Sequence, residues 1–132
     1  MSDLDEILAY EAGLSADDRE LCVALRAMIA DALPEAEGKV WHRHPVWFLD
    51  GNPIVGYHRL KTGLRVLFWS GQSFPTPGLA KSGTFKAAEF YPVNADELAR
   101  VPFAQWLREG REYQWDYENI MKKKRLEKRT EF

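Results

Sequence analysis

The sequence predicts an α+β fold: a single two-layer domain in which an antiparallel meander of about 4–5 strands packs against two N-terminal helices and a long C-terminal helix. Two observations predict it. Residues 2–33 and 95–124 place apolar side chains at helical spacing. Residues 39–91 carry β-branched and aromatic residues separated by turn-forming pairs. Because a chain of 132 residues usually forms one core, we expect one domain over 1–132.

The caps define the N-terminal helices. Ser2 is placed to cap a helix over about 2–13 that ends at Gly13. Ser15 is placed to cap a stronger helix over 16–33, which Pro34 ends. The second helix carries one apolar stripe, formed by Leu21, Ala24, Leu25, Met28, Ile29 and Leu33.

The central segment contains four candidate strands, at 39–49, 53–60, 64–70 and 84–91. A three-residue loop over 61–63 would place Leu60 opposite Leu64. One face of the sheet, the expected core, would then carry Ile54, His58, Leu60, Leu64, Val66 and Phe68. The other face would carry Val55, Tyr57, Arg59, Arg65, Leu67 and Trp69.

The C-terminal part is predicted to be helical. Asn94 is a candidate N-cap for a short helix over 95–100. Pro102 suits the first turn of a last helix that runs to about residue 124. This helix offers several large apolar residues for burial, among them Phe103, Trp106, Leu107, Tyr113, Tyr117, Ile120 and Met121.

Composition excludes several classes of protein. No apolar run approaches the roughly 20 residues of a membrane helix, and the first residues are acidic where a signal peptide would be basic. We therefore expect a cytoplasmic protein with no membrane partner. Cys22 is the only cysteine, which rules out an intramolecular disulfide and a thiolate-pair metal or redox motif.

The net charge of −2 conceals a division along the chain. Residues 1–37 carry ten acids and two bases, whereas the remainder carries ten acids and sixteen bases. The two parts either attract each other within the fold or meet different partners, and the sequence favours neither interpretation.

The order of several short motifs is distinctive. They are Pro34-Glu35-Ala36, Val40-Trp41-His42-Arg43-His44-Pro45-Val46-Trp47, Gly51-Asn52-Pro53-Ile54-Val55-Gly56-Tyr57, Leu67-Phe68-Trp69-Ser70-Gly71-Gln72, Lys81-Ser82-Gly83-Thr84-Phe85-Lys86 and Trp115-Asp116-Tyr117. Together they resemble the YdhG-like family of bacterial proteins, domain of unknown function 1801. The resemblance implies an antiparallel sheet packed against terminal helices and no established reaction. Some members are described as frataxin-like intracellular iron chaperones. The family usually has an aromatic residue, a glycine and an apolar residue at 42–44, so the histidines here are not a family-wide feature.

A small-molecule site is predicted on the second sheet face. Tyr57 and Trp69 would lie beside Arg59 and Arg65, and the loop after the sheet would add Lys81 and Lys86 at the border. Aromatic walls with a few cationic groups are typical of small-molecule sites. The structural alternative is that the last helix covers this face as a second core layer.

Histidines offer a first candidate metal site. His42 and His44 are two residues apart on a predicted strand, so their side chains would leave one face about 7 Å apart. His58 would join them only if the turn after this strand has three residues, Asp50–Asn52. A two-residue turn, which Asp-Gly and Gly-Asn favour, would send His58 to the other face. The alternative is that these are ordinary strand and core histidines.

Acidic pairs on the first two helices offer a second candidate metal site. Asp3 and Glu6, like Asp17 and Glu20, are three residues apart and share a helix face. Their oxygens would suit iron, the one cofactor that the sequence suggests. The alternative is a solvated face that complements the helix dipole.

Lys122, Lys123, Lys124, Arg125, Lys128 and Arg129 form a basic tail. The tail would suit an acidic macromolecular partner, or it would simply complement the end of a helix. A pI near 5.9 argues against a nucleic-acid partner. Monomer and homodimer remain open.

Motifs for phosphate binding, serine nucleophiles and zinc proteases are absent from the sequence. We therefore expect a non-enzymatic protein that binds a small ligand. An iron chaperone or metal carrier is the alternative, and an adaptor that uses the basic tail is a third, weaker possibility.

Overall fold

The computed structural model describes residues 3–83 and 85–117. Its helices are α1 (Asp3–Ala12), α2 (Ala16–Ala32), α3 (Glu97–Arg100) and α4 (Phe103–Glu112). Its strands are β1 (Glu37–Trp41), β2 (His44–Leu49), β3 (Asn52–Leu60), β4 (Gly63–Phe68), β5 (Ala80–Lys81) and β6 (Ala88–Phe90). A 3₁₀ turn covers Gly71–Ser73. No helix in the described ranges is long and apolar enough to cross a membrane.

The strands form one antiparallel sheet in the order β1-β2-β3-β4-β6-β5. The predicted α+β class is confirmed, but the described residues hold six strands rather than four or five. The predicted strand over 39–49 is divided in two, and the long loop after β4 contributes the two-residue strand β5.

A tight turn at His42 and Arg43 divides the predicted first strand. Both residues have positive φ, 52° and 72°, and Trp41 pairs with His44 across the turn. Positive φ at both central residues is typical of type I′ hairpin turns, which usually contain Asn or Gly. Because neither residue is present at 42 or 43, no residue pattern indicated the turn, and the prediction of a continuous strand is wrong.

The next hairpin combines a short turn with a bulge. Leu49 pairs with Asn52 across the two residues Asp50 and Gly51, which have φ of 47° and 79°. A register shift between Trp47 and Phe48 then places Val46 opposite Gly56. The extra residue of the bulge changes which side chains of β2 and β3 lie opposite each other.

The turn between β3 and β4 also has two residues, because Leu60 pairs with Gly63. The expected three-residue loop is therefore wrong, and the register differs by one residue. Tyr57 lies opposite Val66, and His58 lies opposite Arg65. A shift of one residue exchanges the two faces of a strand, so Tyr57 takes the core position that was expected for His58.

The helices cover one face of the sheet, here called the inner face. The Tyr57 hydroxyl donates a hydrogen bond to Glu11 of α1, and the Phe68 ring lies 5.8 Å from that of Phe103 in α4. The opposite, outer face is half-buried: along β4, buried and half-buried residues alternate. The buried core comprises Leu21, Cys22, Leu25, Ile29, Leu33, Leu49, Ile54, Val55, Tyr57, Leu64, Val66, Phe68, Leu98, Phe103, Trp106 and Leu107.

The helix ends follow their caps in part. Ser15 Oγ accepts a hydrogen bond from the backbone nitrogen of Asp18 at 3.2 Å, which confirms the predicted start of α2. α4 ends at Glu112, so the predicted long helix is wrong over 113–117, and its continuation to 124 lies outside the described residues. After α4, Gln114 and the Trp115 carbonyl oxygen accept hydrogen bonds from Asn52 of β3, and the Trp115 backbone nitrogen donates one to Ser70, which follows β4.

Candidate functional site

Three rings and one guanidinium group form the outer-face cluster, which consists of His44, His58, Trp69 and Arg65. Continuing the register of β2 and β3 places His44 opposite His58, and their rings are stacked at 4.6 Å between centroids and 12° between planes. The Trp69 ring lies 6.4 Å from that of His44, at 19°. Arg65 lies opposite His58 on the next strand. The cluster therefore crosses β2, β3 and β4.

Gly56 lies in the middle of the outer face, next to the cluster. It is paired with Val46 and Leu67 and carries no side chain. An added Cβ would come within 2.5 Å of the Pro45 carbonyl oxygen and 3.1 Å of Val46 Cγ2. Pro45 and Val46 therefore already fill the space that a side chain would take, and only glycine fits here.

A second group of aromatic side chains borders the cluster on the side of β1 and β2. The Trp41 ring lies 6.2 Å from Trp69 and 5.3 Å from Phe48. His42, in the turn, lies 4.2 Å from the Trp41 ring, and the Lys39 ammonium lies 4.7 Å above the Phe48 ring. Trp41 was not among the predicted site residues, although its motif had been singled out.

Two nitrogens of the cluster have no hydrogen-bond partner. His44 is 8% exposed, and its Nδ1 has no hydrogen-bond partner of good geometry, although the Pro45 backbone lies close to the ring. The buried Nε of Arg65 also has no partner. A buried polar atom left without a partner costs about 1–3 kcal/mol. The Nε of Arg111 is a third such atom in the described residues, but only those of His44 and Arg65 lie in one row.

The cluster holds its histidines in the neutral form. Burial, followed by the nearby charges of His58 and Arg65, lowers the pKa of His44 to about 4, although a contact with the Pro45 backbone acts in the opposite direction. Burial and the Arg65 charge also lower the pKa of His58. At neutral pH, Arg65 is therefore the cation of the cluster, beside two uncharged imidazoles.

The predicted ligand-binding residues of β3 and β4 do not share a face. Trp69 and Arg65 belong to the outer-face cluster. Tyr57 is 1% exposed on the inner face, and Arg59 lies there with a guanidinium nitrogen 3.6 Å from an Asp18 carboxylate oxygen. The expected common face is wrong because the turn between the strands is one residue shorter than expected.

The two predicted lysines lie in other places. Lys81 is exposed and lines a small cavity of about 150 Å³ together with Phe74, Thr76 and other residues of the long loop. The Lys86 ammonium lies 4.7 Å above the Trp115 ring.

The structure brings together two of the three candidate metal-binding histidines. His44 and His58 are stacked, whereas His42 lies in the exposed turn and does not extend the strand of His44. Within residues 3–83 and 85–117, no three His, Cys, Asp or Glu side chains are placed to hold a metal ion. The expected placement of His42 and His44 on one strand is wrong because the turn separates them.

The predicted acidic pairs lie in two separate surroundings. Asp3 and Glu6 are exposed on α1. Asp17 and Glu20 line an open cleft of about 340 Å³ between the start of α2 and the segment before α3, which also contains Asp96.

Sequence reasoning missed a buried carboxylate. Glu11 is 4% exposed and accepts hydrogen bonds from the Tyr57 hydroxyl and from Arg26 Nε, the latter at 2.8 Å. Burial, with the Glu11 charge as the next cause, raises the pKa of the neighbouring Cys22 thiol to about 12. The sequence pattern that indicated its burial is the helical spacing of Glu11 after Leu4 and Ile7.

Three of the motifs meet at one polar junction. Asn52 Nδ2 donates to Gln114 Oε1 at 3.1 Å and to the Trp115 carbonyl oxygen at 2.9 Å. Trp115 in turn donates from its backbone nitrogen to Ser70 Oγ and from its indole to Ser73 Oγ, both at 2.9 Å. The predicted basic tail beyond this junction, Lys122 to Arg129, lies outside the described residues.

Comparison with known proteins gives one line of evidence. No protein-family model matches the chain. No curated protein matches it either. A crystal structure of a DUF1801-family protein, YdhG from Bacillus subtilis, is similar with a TM-score of 0.54 and 17% identity, over 92% of this chain and 93% of that one. The chain therefore has the fold of a YdhG-like DUF1801 protein, the fold that its motifs had predicted.

Proposed function

We propose that this chain is a YdhG-like protein of the DUF1801 kind and that it binds a small ligand on the outer face of its sheet. The order of its motifs and the shared fold support the assignment to this family. The outer-face cluster supports the binding function: Trp69 and the bordering Trp41 form an aromatic surface, and His44, His58 and Arg65 are the polar groups.

One observation carries the proposal: His44 Nδ1 and Arg65 Nε, in one row across three strands, have no hydrogen-bond partner. On the inner face, by contrast, the buried Glu11 carboxylate of α1 accepts two hydrogen bonds, from Arg26 and from Tyr57. A ligand that offers polar atoms to the row would satisfy groups that the chain leaves unpaired, which favours its binding.

Aromatic stacking would supply the apolar part of the affinity. Trp69 is half-buried, and its ring is nearly parallel to that of His44. A planar ligand that continues this arrangement gains about 0.5–1.5 kcal/mol for each ring pair beyond the area it buries. The proposed ligand therefore has a planar, apolar body.

The proposal is a binding function rather than a reaction. Cys22 has a thiol pKa of about 12 within the core, so it is a structural residue and not a nucleophile. The cluster combines two neutral imidazoles with a cation, which is an arrangement for recognising polar groups.

The test is a ligand-observed NMR screen of the full chain against a library of planar fragments. We expect hits whose binding weakens at least tenfold in Trp69→Leu. The control variant is Phe85→Leu, which removes an aromatic ring that is 53% exposed outside the cluster and should leave binding unchanged. A screen without hits, or hits that Trp69→Leu retains in full while its urea midpoint shows a folded protein, would overturn the proposal.

A second candidate function, iron carriage, would use the open cleft that Asp17 and Glu20 line with Asp96. In the described residues these carboxylates are not grouped to hold an ion together, so an ion would have to draw them closer. Open carboxylates with room for water suit an ion that must be released. Calorimetric titration with ferrous iron would test it. Saturable binding that is lost in Asp17→Asn with Glu20→Gln, but kept in Asp3→Asn with Glu6→Gln, is the expected result. Absence of saturable binding would remove this candidate.

A further inference from the structure

We infer that the ligand of the outer face carries an anionic group, a carboxylate or a phosphate, on its planar body. This inference rests on the proposed function and specifies its ligand class. Its basis is the charge balance around Arg65.

Arg65 has no carboxylate partner in the described part of the chain. The ion pairs there join Arg26 to Glu11, Arg59 to Asp18 and Arg111 to Glu35. A guanidinium group that is half-buried without a counter-ion favours an anion beside it.

The surrounding groups add positive charge near the cluster. Lys39 lies on the outer face above Phe48, and Arg43 lies in the turn next to His44. The register places two acids on the same face, Glu37 opposite Phe48 and Glu89 opposite Leu67. Glu37 lies on the edge strand β1, and Glu89 lies on β6, the strand next to that of Arg65. Neither carboxylate is in an ion pair with Arg65 in the described part of the chain.

The histidines strengthen the preference for an anion. Each neutral imidazole has one N–H that can donate, and protonation would add a second donor and a charge. A metal ion or an amine would instead lie beside the fixed charge of Arg65, which repels it. The same cluster thus attracts an oxyanion and disfavours a cation.

A series of ligands with one ring and different charges tests the inference. The probes are benzoate, benzamide, benzamidinium and phenyl phosphate, each titrated into the full chain in a buffer without oxyanions. We expect benzoate or phenyl phosphate, or both, to bind at least tenfold more tightly than benzamide, and benzamidinium to bind most weakly. The stronger of the two anions identifies carboxylate or phosphate as the preferred group.

Variants locate the charge that is responsible. Arg65→Gln should weaken binding of the preferred anion at least tenfold, the scale of one charge-assisted hydrogen bond. Arg59→Gln removes the same charge from the inner face of the same hairpin and should change it less than twofold. Arg65→Lys retains the charge and should recover most of the affinity. If Arg65→Gln fails to fold, the comparison of Arg65→Lys with the original chain still tests the role of the charge.

The outcomes distinguish this inference from the proposed function. If benzamide binds as tightly as both anions, and if this binding requires Trp69, the inference is wrong but the proposed function stands. An anion whose affinity is unchanged in both Arg65 variants also overturns the inference. If none of the four probes binds, the inference is wrong, and the fragment screen alone then decides the proposed function.

Discussion

The imidazole ring of His44 is stacked on that of His58, with 4.6 Å between their centroids. The turn between their strands has only two residues, which by itself would separate the two side chains onto opposite faces. The bulge at Trp47 and Phe48 restores the face that a three-residue turn would have given. The pairing at the centre of the candidate site therefore depends on a backbone irregularity and not on the turn.

The turn at His42 and Arg43 stores strain that substitution should release. Both residues have φ values in the left-handed region, which Asn and Gly adopt more readily. We expect His42→Asn with Arg43→Gly to raise the free energy of unfolding by about 1 kcal/mol, measured by urea denaturation. Lys61→Asn with Thr62→Gly is the matched control, because neither residue of that turn has positive φ. An equal gain in both turns would contradict the assignment of strain to residues 42 and 43.

Acid should weaken the fold through His44. Its pKa is about 4 in the folded chain and about 6.5 when unfolded, so the unfolded chain binds more protons between these values. The stabilisation is complete above pH 6.5 and is lost as the pH falls toward 4. The groups that face His44 are His58, Arg65 and His42, and each of them disfavours its protonation.

Urea denaturation at several pH values measures this effect. Between pH 7 and pH 4, we expect the His44 contribution to be about 1–3 kcal/mol, and we expect His44→Gln to flatten the pH profile by that amount. His42→Asn, which changes the exposed histidine of the turn, should leave the steepness of the profile nearly unchanged. A His44→Gln profile as steep as that of the original chain would show that another group controls the acid response.

Glu11 should be the most sensitive acidic residue of α1. Replacing it by Ala leaves Arg26 Nε and the Tyr57 hydroxyl without their partner in the interior. The expected loss in the free energy of unfolding is about 2–4 kcal/mol. Glu6→Ala, on the exposed side of the same helix, should change it by less than about 0.5 kcal/mol. Equal losses in the two variants would mean that the buried contacts do not stabilise the fold.

The polar junction at Asn52 predicts an order of effects. Asn52 is fully buried, and its amide nitrogen donates to two carbonyl-type oxygens, of Gln114 and Trp115. Asn52→Ala should cost about 2 kcal/mol, and Asn52→Asp should cost more, because a carboxylate would face those two oxygens. Hydrogen exchange of the Trp115 amide should accelerate in both variants. If Asn52→Asp is as stable as the original chain, the orientation of this amide is different.

Local signals in the sequence were sufficient for the two N-terminal helices. Ser15 accepts the hydrogen bond of an N-terminal cap from Asp18, as its position indicated. α3 begins at Glu97, two residues later than expected, with Asp96 at the cap position, although Asn94 Oδ1 accepts a hydrogen bond from the Glu97 backbone nitrogen. The apolar stripe of α2 was also readable, since Leu21, Leu25 and Ile29 are all buried. These features depend on neighbours within one or two helical turns.

The outer face could not be predicted because its composition depends on three hairpin registers. His42 and Arg43 form a turn without the usual turn residues, and the bulge at Trp47 has no sequence signature of its own. The Lys61-Thr62 turn was expected to be one residue longer, which exchanged Tyr57 and His58 between the faces. Aromatic and basic residues were correctly expected at a sheet surface, but only Arg65 and Trp69 of that group lie on the outer face.

A heteronuclear NMR titration of the isotopically labelled chain, with the fragment that binds best in the screen, would locate the ligand on the protein. We predict that the largest shift changes fall on the indole signals of Trp41 and Trp69 and on the amides of His58 and Arg65. Shift changes confined to the cavity beside Lys81 or to the cleft at Asp17, with the outer-face signals unmoved, would contradict the account.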